Sequence, residues 1–353
     1  NRQAPKAYFK GLNHLLNEQQ DQAIDAFIEA VQKDPDTSEL HFALGNLFRR
    51  RGEYERAVRV HEHLLSRADL SQADRDRAQH ALALDFLKAG LLDRAEDALR
   101  KLEGTPYDEQ AGLTLLSLHE RARDWPQARA MAQRLQQSGA GDFTLRLSHY
   151  LCEQATEALN KKKDPAGARQ HLHQAIDEAP GAARPRIELA GLLARGDQPA
   201  QALELLAGLE QHAPQAIALV ASELVRIGQT GGQAARVREL LERSYAATPS
   251  IDVADAIVQA DVAAGVPQDQ ARASYLRHMG QEPSLIAAAR WLSHEAFAQE
   301  DAHAVVQRSV DHAARPLARY RCAACGFEAQ GYFWQCPGCQ AWESFPPRRI
   351  EEL

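Results

Sequence analysis

The sequence predicts an all-α protein, a long array of helical hairpins that ends in a small C-terminal metal-binding module. Helix-forming residues such as Ala, Leu, Gln, Glu and Arg are abundant, whereas only 21 Gly and 16 Pro occur among the 353 residues. Small residues recur with a period of 34 positions. Four of the five cysteines lie within 18 positions near the C-terminus. The first two observations predict the helical array, and the third predicts the module.

The composition restricts the classes of function that fit the chain. Apolar residues make up 44% and charged residues 25%, which is ordinary for a folded globular protein. The formal net charge of -7 argues against a protein that binds nucleic acid non-specifically. No apolar run approaches the roughly 18 residues that span a bilayer, and no signal peptide is visible. Free thiols beside a predicted thiolate–metal site indicate a reducing, cytoplasmic compartment.

The repeat is visible in residues that recur at the same phase. Gly11 returns as Gly45, and Ala23 returns as Ala57, each after 34 positions. Later in the chain, prolines recur at intervals of 34, 35 and 34 residues: Pro180, Pro214, Pro249 and Pro283. Small residues where two helices touch, and proline at the end of the second helix, are typical of tetratricopeptide repeats. The sequence therefore predicts a tetratricopeptide-repeat solenoid.

The predicted array contains eight to nine helical hairpins and forms a first domain, residues 1–314. Pro35 is expected to end the second helix of the first unit. A longer unit covers Phe143 to Pro180, and a degenerate last unit begins at Ser284. A single hairpin cannot bury its apolar face, so stability should come from stacking against its neighbours. The phased residues disfavour the alternative, a helical bundle without repeats.

The C-terminal motif consists of two Cys-x-x-Cys pairs, with ten residues between them. Two thiolates three positions apart can bind one ion from a tight turn, and two such turns complete a tetrahedral site. The predicted ligands are Cys322, Cys325, Cys336 and Cys339. Gly326 directly follows the first pair and suits a turn residue with positive φ. Paired disulfides fit poorly in so long a chain with one further cysteine, and a thioredoxin-like redox site needs only one such pair.

The identity of the ion is left open by the ligands. Four soft thiolates suit zinc and equally a single iron, and Cys-Pro-x-Cys beside aromatic residues resembles the rubredoxin type of site, whose ion is iron. We expect one iron or zinc ion per chain. Because protein thiolates would fill all four positions, the motif argues against a catalytic metal.

The metal module is predicted to span residues 315–347. Aromatic residues lie around the ligands, among them Phe327, Tyr332, Phe333, Trp334, Trp342 and Phe345. No flexible linker precedes it, so we expect it to dock on the last repeat, near Trp291 and Val305, through Trp334 or Trp342 with Tyr332. The alternative is that these aromatics serve only the module's own small core. Residues 348–353 form a polar tail that is expected to be mobile.

Other candidate features of the sequence have structural explanations. The pairs His61-x-His63 and His171-x-His173 cannot each converge on one ion, because positions i and i+2 of a helix point to different sides. We interpret them as residues of the repeat surface. Cys152 is expected to be a buried, inert thiol. No nucleophile elbow, phosphate-binding Gly loop or His-Glu-x-x-His motif is present, so nothing in the sequence argues for an enzyme.

A repeat array followed directly by two cysteine pairs resembles the lipopolysaccharide assembly protein B family over nearly the whole chain. The segments that support the resemblance are Gly11–Ala23, Leu44–Glu53, Ala89–Asp97, Tyr320–Phe327 and Trp334–Trp342. It implies a non-enzymatic adaptor at the cytoplasmic face of the bacterial inner membrane, held there by one N-terminal helix. Members of this family restrain lipopolysaccharide synthesis by helping to deliver the deacetylase LpxC to the membrane protease FtsH. The family's metal-ligand positions correspond to Cys322, Cys325, Cys336 and Cys339.

Two points depart from this resemblance or are left open by it. The chain begins at Asn1 without a methionine, so we expect the natural N-terminal segment, with the anchor, to be missing. The alternative function is a redox protein that uses a rubredoxin-like iron for electron transfer. A zinc-ribbon nucleic-acid binder fits poorly with the charge of -7. The groove residues that bind LpxC, FtsH or other lipopolysaccharide assembly factors, self-association, and any sensing of redox or metal status are not specified by the sequence.

Overall fold

The structure, a computed structural model, describes residues 4–17, 19–34, 36–295 and 300–353. The chain separates into two compact units, Asn1–Phe143 and Thr144–Leu353. Each unit is a stack of antiparallel helical hairpins, as the repeat pattern predicts. The predicted boundaries of the domains at residues 314 and 347 stay predictions. No helix among the described residues combines the length and the apolar character that crossing a bilayer requires.

The described part of the first unit contains four hairpins, α1/α2, α3/α4, α5/α6 and α7/α8. Their helices are α1 (Ala4–Leu16), α2 (Gln20–Lys33), α3 (Ser38–Arg50), α4 (Tyr54–Ser66), α5 (Gln72–Lys88), α6 (Leu92–Arg100), α7 (Asp108–Ala122) and α8 (Trp125–Gln137).

Glycine sets the close approach of the two helices in the first two hairpins. A Cβ atom on Gly11 would lie 2.9 Å from the ring of Phe27, and one on Gly45 would lie 2.5 Å from Nε2 of His61. Real Cβ atoms do not come so close to a packed ring, so a larger residue would push the helices apart. These are the repeating glycines of the sequence. Pro35, predicted to end the first hairpin, lies outside the described residues.

The prediction that His61 lies on the repeat surface is wrong. The side chain is fully buried, and its Nδ1 lies 2.5 Å from a carboxylate oxygen of Asp85 in the next hairpin. Arg49 donates a hydrogen bond of 2.8 Å to the other oxygen of Asp85. Gly45 leaves the space that the imidazole fills, and this packing was not visible in the spacing of the two histidines. His63 is exposed as predicted.

The second unit contains five hairpins in its described part, α9/α10, α11/α12, α14/α15, α16/α18 and α19/α20. Its helices are α9 (Thr144–Glu157), α10 (Pro165–Glu178), α11 (Ala183–Arg195), α12 (Pro199–Ala207), α13 (Leu209–His212), α14 (Ile217–Thr230), α15 (Ala234–Ala247), α16 (Ile251–Ala263), α17 (Gln268–Ala271), α18 (Ala273–Gln281), α19 (Leu285–Leu292) and α20 (Glu300–Ala314). The described parts of the two units together have nine hairpins, which agrees with the predicted eight to nine.

The longer predicted unit, Phe143 to Pro180, is the hairpin α9/α10. A wide helical turn at Ala158–Lys162 takes up its extra residues. The residues at its signature positions are at most 1% exposed: Ala168, Leu172 and Ala175. Cys152 of α9 is fully buried, as expected, and burial raises the pKa of its thiol well above the usual range. After α20 the helical pattern gives way to two short antiparallel strands, β1 (Tyr320–Arg321) and β2 (Glu328–Ala329).

Candidate metal centre

Each cysteine pair lies at the tip of a small hairpin. The first pair lies between β1 and β2, and the second lies between Gln335 and Trp342, which form an antiparallel bridge. In the first turn, Gly326 has φ +77 and donates its backbone N–H to the carbonyl of Cys322 at 2.9 Å. The second turn repeats this bond, from Gln340 to Cys336 at 2.9 Å, with φ +62 at Gln340. The positive φ predicted for Gly326 is confirmed, whereas that of Gln340 was not foreseen.

The two hairpins bring the four cysteine sulfurs together. All four Sγ atoms lie within 4.8 Å of one another. Cys322 Sγ is 3.8 Å from Cys339 Sγ, and Cys325 Sγ is 3.7 Å from Cys336 Sγ. A disulfide requires about 2.05 Å, so these pairs are not bonded. A tetrahedral ion with bonds of about 2.3 Å to each sulfur places its ligands about 3.8 Å apart. The cluster therefore has the dimensions of a structural four-thiolate metal site.

Burial and hydrogen bonds make the four thiols unequal. Cys322 and Cys336 are buried, whereas Cys325 and Cys339 face solvent. Burial acts to raise the pKa of Cys322, but its hydrogen bonds with the Ser344 hydroxyl and with backbone groups lower it to about 6. For Cys325, a backbone hydrogen bond lowers the pKa, but burial and the neighbouring thiols raise it to about 12. One thiolate disfavours the next, so a central cation would stabilise the group.

The module docks on the repeats through aromatic rings, which confirms one of the two predicted alternatives. The ring of Trp342 stacks on His149 of α9, with 4.7 Å between ring centroids and 20° between planes. Trp342 also meets Tyr150 edge-on at 6.0 Å. Trp334 packs against the hydrophobic core of the second unit. These aromatics therefore join two parts of the chain that are far apart in sequence.

His149 is the polar centre of this contact. Only 1% of it is exposed, and its Nε2 lies 3.1 Å from a carboxylate oxygen of Glu343 in the module. Burial lowers the pKa of His149 below its ordinary value of 6.5, although Glu343 acts to raise it. Behind the imidazole, buried Arg184 bonds Glu153 at 2.7 Å and Glu188 at 2.6 Å. No local pattern pointed to His149, whose partner Glu343 is 194 residues away. The bond of Arg184 to Glu153, 31 residues away, was not foreseen either.

The predicted place of docking is wrong. The module contacts α9, and its buried cluster of Tyr320, Cys322, Cys336 and Phe345 packs against Leu219 of α14. The connecting residues Leu317 and Ala318, which precede the module's strands, pack in the same cluster as Trp291 of the last repeat. Val305 of α20 is 55% exposed. The short link folds back along the unit, so the module reaches earlier hairpins.

The expectation of a mobile tail is also wrong. Residues Ile350–Glu352 form a 3-10 turn, and the tail makes hydrogen bonds to the second unit. Arg349 donates two bonds to Asp252 at 2.8 and 2.9 Å. Glu352 accepts a bond of 2.6 Å from the backbone N–H of Ile251. The polar residues that suggested a solvated tail are instead its contacts with α16 and α19.

Two parts of the chain match known family descriptions. "Rubredoxin metal binding domain" matches residues 320–347, and "Tetratricopeptide repeat" matches residues 159–223. The first match contains all four cysteines of the cluster. The second covers helices from α10 to α14 of the second unit.

Two curated relatives cover nearly the full chain. "Lipopolysaccharide assembly protein B" of Escherichia coli (strain K12) is 30% identical over 349 residues, which are 97% of this chain and 89% of the relative. The protein of that name from Haemophilus influenzae is 26% identical over 98% of this chain and 90% of the relative. Among solved structures, "Structure of Naa15/Naa10 bound to HypK-THB" has 13% identity and a TM-score of 0.45, over 90% of this chain and 48% of that chain, a likeness too low to bear on function. With its repeats, its cysteine module and this full-length identity, the chain belongs to the lipopolysaccharide assembly protein B family.

Proposed function

We propose that this protein is a non-enzymatic adaptor in lipopolysaccharide assembly, acting at the cytoplasmic face of the bacterial inner membrane. The observation that supports this most is the 30% identity to lipopolysaccharide assembly protein B across 97% of the chain. Stacked hairpins present extended surfaces suited to binding other proteins. The family resemblance supplies the partners of the proposal: the deacetylase LpxC, the protease FtsH that degrades it, and other lipopolysaccharide assembly factors. Membrane attachment would use one N-terminal helix, as the resemblance implies.

We further propose that Cys322, Cys325, Cys336 and Cys339 hold one structural iron or zinc ion. The sulfur–sulfur distances of 3.7 and 3.8 Å support this assignment. Four thiolates leave a tetrahedral ion without an open position, so its role would be to cross-link the two turns. The residues of the second turn would then present Trp342 and Glu343 to His149. The ion would thus stabilise the docked form of the module.

A second candidate function is one-electron transfer by a rubredoxin-like iron. The observation that favours it is the exposure of Cys325 and Cys339, which brings one edge of the cluster to solvent. Protein purified with iron would lose its colour on reduction, and a donor protein would reduce it at a useful rate. A colourless zinc protein with full biological activity would exclude this candidate.

Depletion in cells tests the adaptor function. LpxC should accumulate when the protein is depleted, and its level should fall again when the gene is restored. Restoration with a Cys336→Ala variant should fail, whereas the matched Cys152→Ala variant, which alters a cysteine outside the module, should succeed. An immunoblot for LpxC measures both. LpxC levels that do not respond to depletion would refute the proposal for this protein.

A further inference from the structure

The tail, Arg348–Leu353, occupies a defined site on the repeats. The tail-binding site consists of the N-terminal ends of α16 and α19, with Ser284 and Asp252 beside them. These two helices are the first helices of consecutive hairpins. Their first backbone N–H groups lack partners within the helix and carry a partial positive charge, so they attract carboxylates.

Two successive glutamates of the tail each bind a different helix end. Glu351 accepts bonds from the backbone N–H groups of Leu285 and Ile286, and from the Ser284 hydroxyl at 2.7 Å. Glu352 accepts a bond of 2.6 Å from the backbone N–H of Ile251. Adjacent residues thus reach two separate anion-binding positions. This match requires both the spacing of the helices and the turn at residues 350–352.

A basic residue ahead of the glutamates binds an acidic one on the repeats. Arg349 forms a bidentate pair with Asp252, and its guanidinium lies 4.2 Å from the ring centroid of Tyr320. It also donates a bond of 2.8 Å to the carbonyl of Ala318. The site therefore binds a segment in which one basic residue is followed by one spacer and then by two acidic residues. Charge and position are complementary for Arg349 and Glu351. At Glu352, burial and the nearby Asp252 raise the pKa of the carboxyl, although two backbone hydrogen bonds act to lower it.

The tail is held by polar contacts, without a buried apolar anchor. None of the residues in its 3-10 turn is buried, and Leu353 is 59% exposed. Pro346 and Pro347 join the tail to the module. A segment whose apolar side chains are at most partly buried can leave its site without opening a hydrophobic core. A segment of another protein with the same order of charges could bind the same groups of the tail-binding site.

We propose that the tail is an internal competitor, and that the tail-binding site receives an acidic segment of a partner protein in which a basic residue precedes two acidic ones after one spacer. The partner's segment takes the place of residues 349–352, and the tail is released. The tail lowers the affinity of the site, so only a partner with the complementary pattern, or one held nearby by other contacts, displaces it. This inference goes beyond the proposed function and does not depend on the identity of LpxC or FtsH as partners.

The test uses a fluorescent peptide with the sequence of residues 346–353 as the probe. Fluorescence anisotropy should show binding to a chain that ends at Pro347, and at least tenfold weaker binding to the full chain. A peptide with Gln in place of both glutamates should not bind the shortened chain. Higher salt should weaken binding, because exposed charge contacts are screened. Equal binding to both chains, or none to the shortened one, would overturn the proposal.

A second variant keeps the test valid if the shortened chain is poorly folded. The full-length Glu351→Gln/Glu352→Gln variant retains the tail but loses its carboxylates, and it should also bind the wild-type peptide. Circular dichroism and metal content are the checks on folding for both proteins. Light scattering tests the remaining possibility, in which the tail of a second copy of the chain occupies the site. A dimer of the full chain that disappears on removal of the tail would assign the site to a second copy, and would overturn the partner proposal.

Discussion

The C-terminal segment is attached to the second unit at two places, and the two contacts differ in chemistry. At the module, the ring of Trp342 stacks on His149 at 4.7 Å, and Trp334 enters the hydrophobic core. At the tail, Glu351 and Glu352 bind the ends of two helices, and Arg349 pairs with Asp252. The first contact is made mainly by aromatic rings. The second consists of charged groups at the rim of the repeats.

The difference shows which part of the attachment depends on the cysteines. Trp342 lies at the base of a hairpin whose tip holds Cys336 and Cys339, so the position of the ring follows the shape of the metal site. The tail contains none of the four predicted metal ligands. Its 3-10 turn is stabilised by a hydrogen bond within the tail, from the Arg349 backbone N–H to the Glu352 carboxylate at 3.0 Å. Loss of the ion should therefore release the aromatic contact of the module with α9 and leave most contacts of the tail in place.

Loss of the ion should have the largest effect. We expect elemental analysis to find roughly one iron or zinc per chain in the wild type, and a Cys336→Ser variant should lose it, because three thiolates and a poor ligand hold an ion weakly. Hydrogen exchange should rise in the module and in α9, while the amide of Leu285 at the tail site keeps most of its protection. The Cys152→Ala variant is the control and should retain its metal.

Two results would contradict this prediction. One is a full metal content in a Cys322→Ser/Cys336→Ser double variant. The other is an increase in exchange confined to residues 320–345, which would mean that the module is independent of α9. Faster exchange near Val305 is not expected, since that part of α20 does not touch the module.

Removal of the stacked ring should have the next largest effect. A Trp342→Ala variant should lose about 2 kcal/mol of unfolding free energy for the second unit, less than the 3–5 kcal/mol of a fully buried aromatic, because the ring is only partly buried. Chemical denaturation measures the change. Phe333, which is 40% exposed on the same module, provides the matched control, and Phe333→Ala should change stability much less. Equal losses in the two variants would show that the stacking on His149 has no special role.

Neutralising one tail carboxylate should have a smaller and salt-sensitive effect. A Glu351→Gln variant should lose about 1 kcal/mol, which is typical for the loss of a helix-capping acceptor. Exchange at the amides of Leu285 and Ile286 should increase, while the metal content stays that of the wild type. The gap between variant and wild type should narrow in high salt. A gap that is unchanged in high salt would mean that the carboxylate acts by packing and not by charge.

The two contacts should respond to pH with opposite signs, and this is the smallest effect. Burial lowers the pKa of His149 below 6.5, so its contribution to docking is complete above pH 6.5 and is lost as the pH falls towards the lower, folded value. Glu343, Arg184 and Glu153 are the charged groups that act on it. Burial raises the pKa of Glu352 above 4.5, so protonation favours the docked tail as the pH falls through that raised value.

Nuclear magnetic resonance of the Trp342 indole and of the Ile251 amide would follow the two contacts separately between pH 7.5 and 5. The indole signal should report undocking as His149 is protonated, while the amide stays protected. A His149→Asn variant should abolish the response of the indole. If the response persists in that variant, another group controls the contact.

Much of the fold and the site follows from local spacing. A 34-residue period indicates which faces of consecutive helices are apolar, so it predicts eight to nine hairpins without any long-range information. Two pairs of cysteines at fixed spacing predict a common site, since the turns are local and each presents two sulfurs. The positive φ of Gly326 was likewise predicted, because glycine adopts positive φ more readily than other residues do.

The rest depends on contacts that no local pattern contains. His149 and Glu343 are 194 residues apart, and nothing near either residue specifies the other. Arg349, Glu351 and Glu352 have the composition of a solvated end, and only the helix ends they meet make them ordered. His61 was misplaced for a related reason, because the space beside Gly45 exists only once two helices have packed.

The attachment at both ends has a consequence for cooperativity. In a stack of hairpins each member touches only its neighbours, so such stacks melt in pieces, like a one-dimensional chain. Here the C-terminal segment joins the first hairpin of the second unit, through α9, to the fourth and fifth, through α16 and α19. Contacts between non-neighbours close the chain of interactions into a ring. While the module and the tail are docked, opening one of these hairpins therefore breaks contacts with the others. The second unit should then unfold more cooperatively than a stack with contacts between neighbours alone.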